Sequence, residues 1–346
     1  MLNLNELCTP PPEYDPQALA LADLEIGETL SDWETRREEL RERWLDFLGF
    51  GPQQVPLNPE VHGEEHLGDI TRLLISYNVE ENCRAEAFLL KPADVENAPG
   101  VVVFHPTHHR TIMGPAGISD YPTKHFAKHL AKRGYVALCP RNYLFDYRDM
   151  MAKSRSQYVQ IVDYLLKLWP QWTGMGKMLW DGMRAVDYLQ DRPEVDADRI
   201  GCIGHSLGAK EALYLTAFDD RVEAGVSSEG GLGIPFSNWS DRWYLGEAIT
   251  DRDDLQHHQL VAMCAPRALL VIGGGLQPTQ KSEDSSPGAD PIEDWNYMEA
   301  ARPVYELYDR PENLGLFLHN KGHFVPPEAE DIIYPWMDYF LKGDSQ

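Results

Sequence analysis

The sequence predicts an α/β fold: a mostly parallel central sheet flanked by helices, with a helical extension at the N-terminus. Two observations carry this reading. From about residue 68, short apolar runs alternate with longer amphipathic stretches, the order that builds parallel sheets from strand–helix–strand units. The runs also lack the polar alternation of a half-exposed strand. Val101-Val102-Val103-Phe104 and Ala268-Leu269-Leu270-Val271-Ile272 are apolar throughout, as strands covered on both faces must be.

The elements follow in order. Residues 1–60 form the N-terminal extension, a Pro-rich start followed by a charged helix over residues 31–50. Ser31 and Glu34 form a capping box there, and Trp33, Arg37, Leu40, Trp44, Phe47 and Leu48 fall at helical spacing. Gly49 and Gly51-Pro52 end it. Residues 61–346 make the main domain. Residues 70–77 and 84–90 read as an antiparallel strand pair around Glu80-Glu81-Asn82. Strands are expected at residues 101–104, 135–139, 199–203, 222–227, 268–272 and 315–318. Helices are expected at residues 122–133, 153–189 with a break at Pro170 and Gly174, 209–217, 295–307 and 328–341. A cap-like insertion spans about residues 230–265, and residues 277–290 read as a polar loop.

Composition sets bounds on function. The chain has 346 residues, 43% hydrophobic and 25% charged, enough for a full core. It carries 55 acidic against 31 basic residues, a formal net charge of −24. Such a surface repels phosphate backbones and anionic lipid, so neither nucleic acid nor membrane is an expected partner. The apolar runs are of strand length, far short of a membrane span. Five scattered cysteines (Cys8, Cys83, Cys139, Cys202 and Cys264) suggest neither a disulfide framework nor a zinc site; the last three sit in apolar runs and read as core residues. The start, MLNLNELCTPPPEYD, lacks the basic and apolar regions of a secretory signal, so a cytoplasmic location is expected. No cofactor and no metal is called for.

One motif carries chemistry. Gly204-His205-Ser206-Leu207-Gly208 follows a strand, residues 199–203, and opens a helix. That turn strains the serine backbone and lifts its hydroxyl above the strand ends, while the glycines let flanking backbones approach. Ser206 is therefore the candidate nucleophile, and the Leu207 amide at the helix start can donate to an oxyanion. A serine hydroxyl needs a base. His323, in the loop between the last strand and the last helix, stands at the same sheet edge. Two regions offer the acid behind it. Asp290 is preferred among Asp284, Asp290 and Asp294 in the loop after residues 268–272; Glu229, directly after residues 222–227, is the alternative.

The approach to the serine also resembles a known group. Trp180-Asp181-Gly182-Met183-Arg184-Ala185-Val186-Asp187-Tyr188-Leu189, then Arg192-Pro193-Glu194-Val195-Asp196 and Asp198-Arg199-Ile200-Gly201, running into the pentapeptide, is similar to the dienelactone hydrolase and acetyl xylan esterase-like part of the α/β-hydrolase superfamily. The resemblance covers about residues 70–342. It extends to glucuronoyl esterases, which share the approach carried here by Trp180, Gly182, Arg184 and Asp187 and a lysine four residues after the serine, here Lys210. It implies an α/β-hydrolase fold, the chain order Ser–acid–His, and a second oxyanion amide at Thr107 or His108 in the loop after residues 101–104. In some of these enzymes the acid is a glutamate placed like Glu229. The chain departs from them at Leu207, where they carry an arginine that helps hold the oxyanion.

The expected activity is a serine esterase acting through an acyl-enzyme on a small-molecule or carbohydrate ester, with acetyl esters implied by the resemblance alone. A peptidase, a lactone hydrolase or a catalytically silent binding protein on the same fold are the alternatives. Lys210, Trp239, Trp243 and Arg141 are the expected substrate contacts. Trp239, Trp243 and Tyr244 are placed either to stack on a sugar or aryl ester or to form a small satellite core. Arg141 and Arg148 are placed either to meet a substrate carboxylate or to form ordinary salt bridges. His257-His258 reads as solvated. His62-Gly63-Glu64-Glu65-His66 matches an inverted zinc-protease motif, but Pro59, Gly63 and Gly68 argue against the helix that motif needs.

Overall fold

A computed structural model of the chain describes residues 2–16, 19, 21–49, 51–108, 110–118, 122–275 and 289–343. The N-terminal part holds α1 (Leu4–Leu7) and α2 (Leu30–Leu48). Strands β1 (Glu60–Leu67), β2 (Ile70–Glu80), β3 (Cys83–Pro92) and β4 (Ala98–Phe104) follow, then α3 (Phe126–Lys132) and β5 (Val136–Pro140). A small hairpin, β6 (Asp146–Tyr147) and β7 (Met150–Met151), leads to α4 (Arg155–Leu168) and α5 (Gly174–Gln190). The C-terminal half runs β8 (Val195–His205), α6 (Leu207–Phe218), β9 (Val222–Ser228), α7 (His257–Cys264) and β10 (Ala268–Gly273). It ends with α8 (Trp295–Leu307), β11 (Leu314–Leu318) and α9 (Pro327–Lys342).

Among the described residues, nine strands form one sheet in the order β1-β2-β3-β5-β4-β8-β9-β10-β11. β1, β2, β3 and β5 pair antiparallel in turn, and everything from β5 through β4 to β11 is parallel. The interior strands β4, β5 and β10 are buried along their whole length, as their unbroken apolar runs require. α1, α3 and α9 pack on one face, and α2 with α4 to α8 on the other. No helix among the described residues is long and apolar enough to cross a membrane.

The structure corrects several expectations. The N-cap of α2 is Thr29, whose hydroxyl accepts from the Asp32 amide (3.2 Å) while the Asp32 carboxylate accepts from the Thr29 amide (2.9 Å). Thr29–Asp32 satisfies the capping-box spacing two residues before Ser31–Glu34, and the earlier pair wins. Residues 60–67, which carry the paired histidines of the zinc-protease motif, form the outer strand β1. His62 there meets Ser76 and His66 meets Thr71 on β2. β1 is exposed over almost its whole length and its register shifts between Val61 and Gly63. His257 and His258 are fully buried in α7 rather than solvated. The segment expected as one helix over residues 122–133 starts as a 3-10 turn, Pro122–Lys124, before α3. Most of the polar stretch 277–290, with Asp284, lies outside the described residues.

α2 is joined to the domain by polar anchors as well as apolar ones. Trp44 is buried, stacks on His257, and its indole N–H donates to Gln259 (2.9 Å). Arg41 donates to the Phe218 carbonyl (2.7 Å) at the end of α6. The N-terminal segment thus caps the helices that carry the site.

A second polar cluster lies inside this layer. The Lys177 ammonium is fully buried, 2.7 Å from Glu80 and 2.5 Å from Asp181. Glu80 also accepts from Arg148 (3.0 Å), Tyr147 and Trp169. Burial pushes the Glu80 carboxyl up, but Lys177 and Arg148 overcome this and hold it below its ordinary value. Removing one member of a buried pair leaves the other charge uncompensated. Lys177→Met is therefore expected to lower unfolding free energy by about 3 kcal/mol. Urea denaturation followed by circular dichroism measures this, and a loss under about 1 kcal/mol would contradict the assigned role of the pair.

Candidate active site

The site begins where β8 turns into α6. Ser206 adopts φ 60° and ψ −117°, a left-handed conformation that a non-glycine residue holds only when its surroundings enforce it. The surroundings here are backbones in close approach. A Cβ on Gly204 would lie 2.1 Å from the Gly208 carbonyl oxygen, and one on Gly208 would lie 2.4 Å from that of Phe104 on β4. The Ser206 amide donates to Ser228 at the end of β9 (2.8 Å), tying the turn to the neighbouring strand. Leu207 opens α6, so its N–H has no carbonyl one turn back within the helix.

His323 comes to the serine from the loop after β11. Its Nε2 is 2.9 Å from Ser206 Oγ. Its Nδ1 is 3.5 Å from Glu229 Oε2. Glu229 follows β9, has a positive φ of 59°, and donates its own amide to Ile272 on β10 (2.8 Å). The Glu229 side chain is buried, and Oε2 also accepts from the Ala289 amide (2.7 Å). Burial pushes this carboxyl well above its ordinary value and the nearby Asp290 adds to the effect, while the Ala289 amide and Lys124 oppose it.

Asp290 occupies a different place from the one preferred on sequence grounds. Its two carboxylate oxygens accept from the amides of Leu232 (2.6 Å) and Gly231 (3.0 Å). It clamps the turn that follows Glu229, and the carboxylate presented to His323 Nδ1 is that of Glu229. Asp294 is fully buried beside Asp290, and burial together with that neighbour pushes its carboxyl well up.

The expected substrate contacts divide. Lys210 is buried; its ammonium lies 3.7 Å from the centre of the Trp239 ring and donates to Ser237 (2.9 Å). Burial lowers its pKa to about 7. Trp239 is fully buried and its indole N–H donates to Gly231 (2.6 Å), so its face is closed to a sugar and the satellite-core reading holds for it. Trp243 keeps some exposed ring surface, with the Arg155 guanidinium 5.9 Å from the ring centre. Arg141 forms an ion pair with Glu86 on β3, and Arg148 one with Glu80; salt bridging absorbs both.

The loop after β4 leaves the sheet beside Gly204, with which Phe104 is paired. His105 is buried at its start. The Asn142 amide donates to His105 Nε2 (3.1 Å), and the ring's other nitrogen is 2.9 Å from the Pro106 carbonyl. The acceptor role of Nε2 puts the proton on Nδ1. Asn142 in turn donates its side-chain N–H to Glu211 on α6 (2.9 Å). This chain fixes the base of the loop that carries Thr107 and His108. His108 Nδ1 accepts from the Arg110 amide (3.2 Å). His109 lies outside the described residues. Among those residues, no group of three or more His, Cys, Asp or Glu could hold a metal ion.

Sequence reasoning missed Glu211, His319 and Gly274, each placed by tertiary contacts. Burial pushes the Glu211 carboxyl well above its ordinary value. The folded state therefore holds this proton to higher pH than the unfolded chain. The stabilisation is full below about pH 4.5 and is lost as pH rises towards the folded value. Glu211→Gln does not titrate, so its stability relative to the parent is expected to climb between pH 5 and pH 9. Thermal unfolding across that range checks this; a constant difference would mean that Glu211 is ionised throughout.

Comparison with known proteins agrees with this architecture. Residues 85–241 match the model of the dienelactone hydrolase family. The Bacillus subtilis (strain 168) protein YtaP is 31% identical over 199 residues, covering 55% of this chain and 63% of that protein. A 4-O-methyl-glucuronoyl methylesterase of Wolfiporia cocos is 25% identical over 205 residues, covering 50% of this chain and 47% of the relative. The chain thus aligns with less than two thirds of either relative's length. A glucuronoyl esterase structure from Solibacter usitatus superposes with a TM-score of 0.70 at 19% identity, covering 93% of this chain and 98% of that one. At that identity the likeness concerns the fold. Strand order and the strand–turn–helix at Ser206 agree with these likenesses: the chain has an α/β-hydrolase fold, and its residues 85–241 are similar to the dienelactone hydrolase family.

Proposed function

We propose that the protein is a serine esterase that cleaves carboxylic esters through an acyl-enzyme. The observation that carries this reading is the line of three groups: Ser206 Oγ 2.9 Å from His323 Nε2, and Glu229 Oε2 3.5 Å from the ring's other nitrogen. In the reading, His323 takes the proton as Ser206 Oγ attacks the ester carbonyl. The tetrahedral oxyanion is met by the Leu207 amide and by an amide at Thr107 or His108. His323 then gives its proton to the departing alcohol, and water repeats the sequence to release the acid. Glu229, rather than Asp290, is the triad acid: it holds the tautomer with the proton on Nδ1 and stabilises the imidazolium. Asp290 keeps the Gly231–Leu232 turn in place, and through it Glu229.

A carbohydrate ester is the substrate class we favour. Support comes from the Wolfiporia cocos relative, named as acting on a 4-O-methyl-glucuronoyl methyl ester, and from the glucuronoyl esterase of the same fold. Trp243, partly exposed, offers a stacking surface, while Lys210 is enclosed by Trp239 and Ser237.

A fluorophosphonate probe is expected to label the parent protein and not Ser206→Ala. The same variant should lose at least about 10³-fold in kcat on p-nitrophenyl acetate. Full activity without Ser206 would remove this mechanism, and an unlabelled parent would mark a silent binding protein. Glu229→Gln should cost about 10²-fold or more, with a smaller loss for Asp290→Asn; the reverse order would return the acid role to Asp290. Release rates from acetylated xylan and from methyl glucuronate esters then identify the substrate.

A further inference from the structure

We infer that His319 is a positioning residue for the acid of this site, its Nε2–H donating to Glu229 Oε1 so that the carboxylate is held between two histidines. The inference rests on the acyl-enzyme reading. His319 Nε2 lies 3.4 Å from Glu229 Oε1, and neither side chain is exposed to solvent. Neither atom makes a hydrogen bond of standard geometry among the described residues, and at 3.4 Å the two are one short approach from making one with each other. Two buried polar atoms in this position satisfy each other or remain unsatisfied.

The tautomer follows from the other side of the ring. The Lys321 amide donates to His319 Nδ1 (3.1 Å), so Nδ1 is an acceptor and the proton sits on Nε2, facing Glu229. The backbone holds both partners. The His319 amide donates to Gly273 (2.9 Å) and the Gly322 amide to Gly274 (2.8 Å), fixing the loop to the end of β10. A Cβ on Gly274 would lie 2.2 Å from Glu229 Oε1, so the glycine makes room for the carboxylate. The two oxygens thereby face different partners: Oε2 accepts from the Ala289 amide and lies 3.5 Å from His323 Nδ1, Oε1 lies 3.4 Å from His319 Nε2, and the Asp290 amide also donates to the carboxylate.

A neutral donor suits this place. Burial pushes the His319 imidazole down to about 4, with Glu328 on α9 and the Phe324 backbone opposing and Lys321 adding to the effect. Glu229 itself faces His323, His319, Asp290 and Lys124. Without the donor on Oε1, the buried carboxylate would be more easily protonated and would cease to support the charged His323. The acid limb of the rate profile would then move to higher pH.

The test uses the full chain and p-nitrophenyl acetate. His319→Leu is expected to lower kcat about tenfold with little change in KM, and to move the acid limb of kcat/KM up by about one pH unit. His319→Gln, whose amide N–H can replace the donor, should restore rate and limb. An unchanged acid limb in His319→Leu would overturn the inference, as would equal losses in both variants that follow a lowered thermal midpoint. Nitrogen NMR of histidine-labelled parent protein needs no variant: His319 should show the neutral Nε2–H tautomer from pH 5 to pH 8, and an Nδ1–H tautomer or a charged ring overturns the inference. If Ser206→Ala is inactive while His319→Leu keeps the parent profile, this inference alone falls. Full activity in Ser206→Ala removes the underlying reading, and the inference with it.

Discussion

Everything at the site depends on how closely three backbones approach at the head of β8. Phe104 at the end of β4 nearly touches Gly208, and Gly208 nearly touches Gly204. That contact leaves no freedom at Ser206, whose backbone is driven into the left-handed region. The strain is sustained by the core around it: β4 and β8 are central strands, and α6 is buried along its whole length. A hydroxyl on such a turn does not search for its base. It is already aimed at the His323 ring, so the proposed reaction would need little further ordering of the pair.

The strand ends supply the rest by the same logic. β4 delivers the loop of Thr107 and His108, β8 the serine, β9 Glu229, β10 Gly274 and β11 the histidine loop. Each comes from a different parallel strand, and those from β8 to β11 are tied together by backbone hydrogen bonds beyond the ladder. Ser206 bonds to Ser228, Glu229 to Ile272, His319 to Gly273 and Gly322 to Gly274. The sheet register is therefore also the register of the site. Buried carboxylates lie close behind it, which is why the amides of Gly231, Leu232 and Ala289 are drawn in as donors.

Much of this was legible in the sequence, for identifiable reasons. Unbroken apolar runs such as residues 268–272 can be little other than buried strands, and glycines two residues either side of Ser206 announce a tight turn between strand and helix. Local signals failed where two residues could play one part. Thr29 and Ser31 both begin a capping box, and the helix starts from the first. Asp290 and Glu229 both follow a buried strand, and the backbone amides of Gly231 and Leu232 engaged the first. His257 and His258 read as polar, yet Tyr214, Leu232 and Ala22 provide partners that let them lie in the core. His319 and Glu211 have no local signature, since their partners are 90 and 69 residues away along the chain.

The outermost strand has a consequence for how molecules of this protein meet. β1 is the free border of a nine-stranded sheet, and such a border is a ready template for a strand from another chain. Here it carries Glu60, Glu64 and Glu65, a glycine, and an irregular register at Val61 and Gly63. Like charges would face each other if two copies joined border to border, and the irregularity would spoil the ladder between them. The segment whose histidines imitate a metal motif thus acts as a guard against edge-to-edge aggregation.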